Sequence, residues 1–135
     1  MSKRILVVDR SRTIQILLYN YFCNAGHQVI IRSSPQEALH VLAGLYDAPD
    51  MIFLAIDYEK TAYQVIQYVR THTQYAHTGL VALVLEEEKA AIQRTLKQPN
   101  IHYLVKPFHI QDALALVSTS IPGTDSPGTQ GGREG

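Results

Sequence analysis

With 135 residues, 46% of them apolar, the chain has room and material for one hydrophobic core, while its apolar runs stay far short of the roughly 20 residues of a membrane span. Twelve basic and twelve acidic side chains cancel and are interspersed, so no basic stripe marks a nucleic-acid footprint. A single cysteine, Cys23, excludes an intrachain disulfide, and the histidines at 27, 40, 72, 77, 102 and 109 offer no i,i+4 pair for a metal.

The opening MSKR runs into an apolar stretch without a signal-peptide h-region, so the expected location is the cytoplasm. RILVV, residues 4–8, is short, continuous and β-branched, as a strand covered on both faces should be. Ile14, Leu17, Leu18, Tyr21, Phe22 and Ala25 then repeat at helical spacing, and Gly26 stands where a left-handed residue would end the helix. QVIIR is a second strand. SSPQEALHVL opens a second helix with Ser34 as cap, Pro35 in the first turn and Glu37 placed to close a capping box, and its apolar face is Ala38, Leu39, Leu42 and Leu45.

DMIFLAI predicts a third strand, and Ala62, Val65, Ile66 and Val69 predict the inner stripe of a third helix. LVALVL is the fourth strand. EEEKAAIQRTLKQ reads as a helix whose acids crowd the first turn, where the macrodipole favours them. IHYLV, KPF and HIQDALALV complete a fifth repeat, with Ile110, Ala113, Leu114 and Val117 facing inward. Five strands alternating with five helices through short connections imply a doubly wound α/β fold: a five-stranded parallel sheet in a three-layer α/β/α sandwich. Residues 1–118 form this domain, and residues 119–135, rich in Gly, Pro, Ser and Thr, are expected to be a flexible tail or linker stub.

In such a sheet, ligands gather outside the carboxyl ends of the strands. Those ends carry Asp9 and Arg10, then Ala55 or Asp57, then Val84, then Lys106 followed by Pro107. ILVVD at the first strand, PDMIFLA at the third and YLVKPF at the fifth, in this order and spacing, resemble the receiver domain of bacterial response regulators, a flavodoxin-like (βα)5 fold of the chemotaxis-regulator kind. The resemblance spans residues 3 to about 118.

The resemblance implies a machine for phosphorelay, or two-component, signalling. An aspartate ending strand three becomes an acyl phosphate, and paired acids after strand one hold Mg²⁺. A lysine after strand five and a hydroxyl ending strand four contact the phosphoryl oxygens, and an aromatic on strand five follows that hydroxyl. Aligned residue by residue, the acceptor position falls on Ala55, the acid pair becomes Asp9 and Arg10, and the hydroxyl position falls on Val84. Lys106 and the switch aromatic Tyr103 remain, and Lys106-Pro107 is a candidate cis peptide. Arg10 is expected to take the place of the metal and pair with Asp9 or Asp57, with Lys106 also pairing with Asp9.

These readings describe a pseudo-receiver: no enzyme, no cofactor, no metal beyond any hold Asp9 retains, acting by protein-protein interaction or self-association. The resemblance puts that contact on the face of the fourth helix, fifth strand and fifth helix, near Arg94, Lys97, His102, Tyr103 and Gln111. The alternative is a functional receiver phosphorylated on Asp57 by a histidine kinase, with Mg²⁺ bound. Residues two apart on a strand share a face, so the pattern leaves this alternative open. A flavin or nucleotide site is disfavoured because DRSRTI after the first strand has no glycine to close around a phosphate.

Overall fold

The computed structural model describes residues 2–44, 47–56, 60–97 and 100–119. Leu45, Asp57, Gln98 and the tail after residue 119 lie outside the described residues. In chain order the elements are β1 (Arg4–Val8), α1 (Arg12–Asn24), β2 (Gln28–Arg32), α2 (Pro35–Gly44), β3 (Met51–Ala55) and α3 (Lys60–Thr71). A 3₁₀ turn (Thr73–Tyr75), β4 (Gly79–Leu85), α4 (Glu86–Leu96), β5 (Ile101–Lys106) and α5 (Ile110–Thr119) follow. The five strands form one sheet in the order β2-β1-β3-β4-β5, every neighbour parallel.

Strand alternation sorts the core into two layers. Ile5, Val7, Met51, Phe53, Val81 and Leu83 face α1 and α5, where Leu18, Phe22, Ala113 and Val117 close over them. Leu6, Val8, Ile52, Leu54, Leu80, Ala82 and Val84 face the other way, against Ala38 and Leu42 of α2, the α3 stripe and Ile92 of α4. Both faces are apolar because both are covered, so the strand sequences run continuous instead of alternating. Each of these fully buried aliphatic side chains contributes about 1.5–3 kcal/mol of transfer free energy.

The α3 stripe, Ala62, Val65, Ile66 and Val69, is buried as its spacing predicts. Helix α1 departs from expectation on one flank. Leu18 and Phe22 are buried and Ile14 and Leu17 half-buried, but Tyr21 is 45% exposed, and Ala25 is the exposed C-cap. Gln15 takes up the remaining buried position, a polar residue that an apolar stripe passes over. In α2, Ser34 Oγ accepts from Glu37 N at 3.2 Å, as a cap should, while Glu37 Oε1 accepts from Ser33 N at 3.0 Å, one residue upstream of the expected partner. The box is thus shifted by one residue, with Ser33 N as the donor.

Helix α1 ends in a Schellman turn: His27 N donates to Phe22 O at 3.0 Å, and Gly26 N donates to Cys23 O at 2.9 Å. Gly26 has φ +94°, and a Cβ there would meet nothing within 4 Å, so the constraint is backbone conformation alone. Gly26→Ala is expected to lower unfolding free energy by about 1–2 kcal/mol, read as a shifted urea midpoint at unchanged slope. A midpoint equal to wild type would remove the left-handed requirement.

His27 follows that turn, and its Nδ1 accepts from Lys3 N at 3.1 Å. Burial, reinforced by the positive charge of Lys3, holds the imidazole below its ordinary pKa. A depressed histidine is neutral in the folded state, so the unfolded chain binds the extra proton and stability drains as pH falls below about 6.5. Above that value the contribution is flat. The difference in unfolding free energy between wild type and His27→Asn should therefore shrink on titration from pH 7.5 toward 5; parallel profiles would reject the linkage.

Candidate functional site

The chain leaves β1 toward β2, then returns past β1 to β3. The loops after β1 and β3 therefore diverge, opening a crevice at the carboxyl ends of the strands. A cavity of about 180 Å³ lies there. Val8, Asp9 and Arg10 line it from β1, Ala55 and Ile56 from β3, Leu83 and Leu85 from β4, and Lys106 from β5. Ser33 and Pro35 close one side and Glu88 of α4 closes another.

Asp9 is the centre of this construction, a carboxylate only 3% exposed. Its Oδ2 meets Lys106 Nζ at 2.7 Å, as expected from the sequence, and the Lys106 side chain is 23% exposed. The contact is a charge pairing, since among the described residues no donor is aligned on Oδ2 as a directed hydrogen bond. Oδ1 accepts from Ser11 N at 2.9 Å. Ser11 in turn caps α1, its Oγ accepting from Ile14 N at 3.3 Å. The buried Gln15 donates through Nε2 to Asp9 O at 2.6 Å and to Ser33 Oγ at 3.2 Å, tying β1, α1 and the loop after β2 into one network.

Ala55 ends β3, pairs in register with Leu83 and presents its methyl to the cavity. Arg10 is exposed at the rim. Val84 departs from expectation. It is 1% exposed, packs in the layer facing α3 and α4, and is absent from the cavity wall, where Leu83 and Leu85 stand instead. The physical reason is parity: β4 stays extended through Leu85 and α4 starts at once with Glu86, so position 84 keeps the strand alternation and turns its side chain away from Lys106. Tyr103 is half-buried on that same opposite layer, and burial, with Tyr63 nearby, pushes its phenol pKa up. The Lys106-Pro107 peptide is cis.

No family model matches the chain. A search of curated proteins finds the two-component response regulator-like protein PRR1 of Oryza sativa subsp. japonica, 23% identical over 114 residues, 84% of this chain. The match spans 22% of that longer protein's length. Among solved structures, the chemotaxis response regulator CheY4 of Vibrio cholerae superposes with a TM-score of 0.74 at 23% identity, over 90% of this chain and 100% of that one. A response regulator from Thermotoga maritima follows at 0.72 and 24%, over 87% and 96%. The fold is that of a response-regulator receiver domain. No helix among the described residues is long and apolar enough to cross a membrane.

A receiver's Mg²⁺ needs several oxygen ligands from this crevice. The described residues do not supply that set: Asp9 Oδ2 is held by an ammonium, position 10 is a cation, position 55 has no side-chain oxygen, and no cluster of three acidic, His or Cys side chains exists among them. Among the described residues the cavity is lined by apolar side chains, the Asp9–Lys106 ion pair and one further acid. That acid, Glu88, is 8% exposed, and the composition reading placed it only among helix-dipole acids. The available signal was its position three residues after Leu85, the N-cap of a helix that begins at a strand tip. Gln15 and Ser33 left no comparable signal.

Lys106→Met keeps the aliphatic stem and removes the charge, leaving the Asp9 carboxylate buried without a cation. Unfolding free energy is expected to fall by about 2 kcal/mol, the lower range for a buried pair because Lys106 is partly solvated. Adding Asp9→Asn should recover part of the loss. A loss below about 0.5 kcal/mol would place the pair with ordinary surface contacts.

Proposed function

We propose that this chain is a receiver-type interaction module of two-component, phosphorelay signalling that works without aspartyl phosphorylation, and that it is not an enzyme. The observation that carries this reading is Ala55 at the tip of β3, facing the cavity that holds Asp9 and Lys106. A methyl group is no nucleophile, and the pairing of Lys106 with Asp9 takes up the cation that would meet a phosphoryl oxygen. Leu83 and Leu85 on the adjoining wall bring no hydroxyl to report one.

With the pocket silent, function passes to surfaces. The proposed contact is the α4-β5-α5 face, with a protein partner or a second copy, in the cytoplasm and away from nucleic acid. Arg94, Lys97, His102 and Gln111 are exposed there and Tyr103 is half-buried, which supports the reading without selecting a partner. The domain would comprise residues 1–118, with residues 119–135 as tail.

Incubation with acetyl phosphate and Mg²⁺, followed by intact-mass measurement, tests the proposal. Unchanged mass is expected, together with no saturable Mg²⁺ effect on tyrosine fluorescence. A gain of one phosphoryl mass that vanishes in Asp57→Asn would overturn it in favour of a functional receiver taking phosphate from a histidine kinase.

A further inference from the structure

Lys3 stands where the start of β1 meets the end of α5. Its backbone N donates to His27 Nδ1 at 3.1 Å and its carbonyl accepts from Gln28 N at 2.9 Å, which fastens the approach to β1 onto the turn before β2. Its Nζ donates to Val117 O in the last turn of α5. A helix leaves the carbonyls of its last turn without intrahelical partners, and an ammonium placed there serves one of them and complements the helix dipole. Val117 itself is fully buried, in the layer that Leu18 and Phe22 of α1 close. One residue thus ties His27 to the carboxyl end of α5.

The tie depends on the protonation state of His27. Nδ1 accepts a hydrogen bond only while the imidazole is neutral, with its proton on Nε2. Protonation puts an N–H on the nitrogen that faces Lys3 N, so that two donors oppose each other. It also adds a positive charge beside Lys3. Of the groups around the ring, Asp50, just ahead of β3, favours the imidazolium, while burial, Lys3 and the amino-terminal charge oppose it and prevail. From α1 the ring meets Phe22 edge-on, with centroids 6.5 Å apart, a contact that carries no charge. We infer that Lys3 is a clasp between His27 and the carboxyl end of α5, and that protonating His27 opens it and releases the last turn of α5 while the sheet stays folded. Helix ends are where local opening costs least. Residues 120–135 continue from that turn, so pH would set how firmly the domain holds the point where they begin. The inference rests neither on position 55 nor on any partner face.

The test is a titration of the isotope-labelled full chain from pH 7.5 to about 4.5, followed by NMR of the His27 ring, the Val117 methyls and the Val117 and Ser118 amides. The α5 signals are expected to move with the midpoint of the His27 ring, below about 6.5. Their protection against hydrogen exchange should fall by about tenfold across it, as the loss of one charge-assisted hydrogen bond implies. In Lys3→Met, His27 should still titrate, but the end of α5 should show the low protection already at pH 7.5 and no longer follow the ring. In His27→Gln the end of α5 should show no midpoint in that range. A wild-type α5 end that ignores the His27 titration would overturn the inference, as would one that follows it unchanged in Lys3→Met or keeps its midpoint in His27→Gln. Loss of the β1 and β3 amide signals at the same midpoint would also overturn it, since that is global unfolding instead of the release of one turn. Should either variant fail to fold, the other variant and the wild-type titration decide.

Discussion

A carboxylate buried at the tip of a central strand has to be neutralised, and Asp9 is neutralised by Lys106 from a strand three places away in the sheet. That requirement organises the site. It sets where β5 ends relative to β1, and it brings Ser11 N and Gln15 Nε2 onto the same residue, so that the start of α1 is anchored to the pair. Gln15 extends the anchorage to Ser33, just before α2. Buried charge of this kind adds little to stability compared with apolar packing, but removing one partner strands the other, which makes the arrangement specific.

The same pairing shapes what the receiver fold can do here. In the machine that the resemblance implies, the lysine and the acids after strand one serve a phosphoryl group and its metal; in this structure Lys106 pairs with Asp9. Ala55 shares the cavity wall with both. The direct passage from β4 into α4 has a parallel effect. Strand alternation carries Val84 into the core and leaves Leu83 and Leu85 lining the cavity, while the first turn of α4 delivers Glu88 to its edge.

Much of the architecture was legible in the chain because each signal was local and agreed with its neighbours. The continuous apolar runs of β1, β3 and β4, the stripe of α3, the left-handed Gly26 and the Ser34 cap each follow from one element's own geometry. Where a residue's surroundings came from a distant element, legibility fell. Tyr21 sits on the apolar side of α1 by spacing, yet it stays 45% exposed. Gln15 is polar and buried because Asp9 and Ser33 converge on it, which no window of neighbouring residues reveals.

The sequence by itself determined the five-fold alternation of strand and helix, the absence of a side-chain nucleophile at position 55, and the presence of Asp9 and Lys106 at strand ends, because residue identity and periodicity are properties of short segments. Only the tertiary structure decided that these two charges meet at 2.7 Å, that Val84 turns to the core, and that Glu88 reaches the cavity with an oxygen left without a donor. Those outcomes depend on the register of parallel strands far apart in the chain, and on whether a strand or a loop carries the backbone over its last two residues. Pairwise distance and side-chain parity do not exist until the sheet has closed.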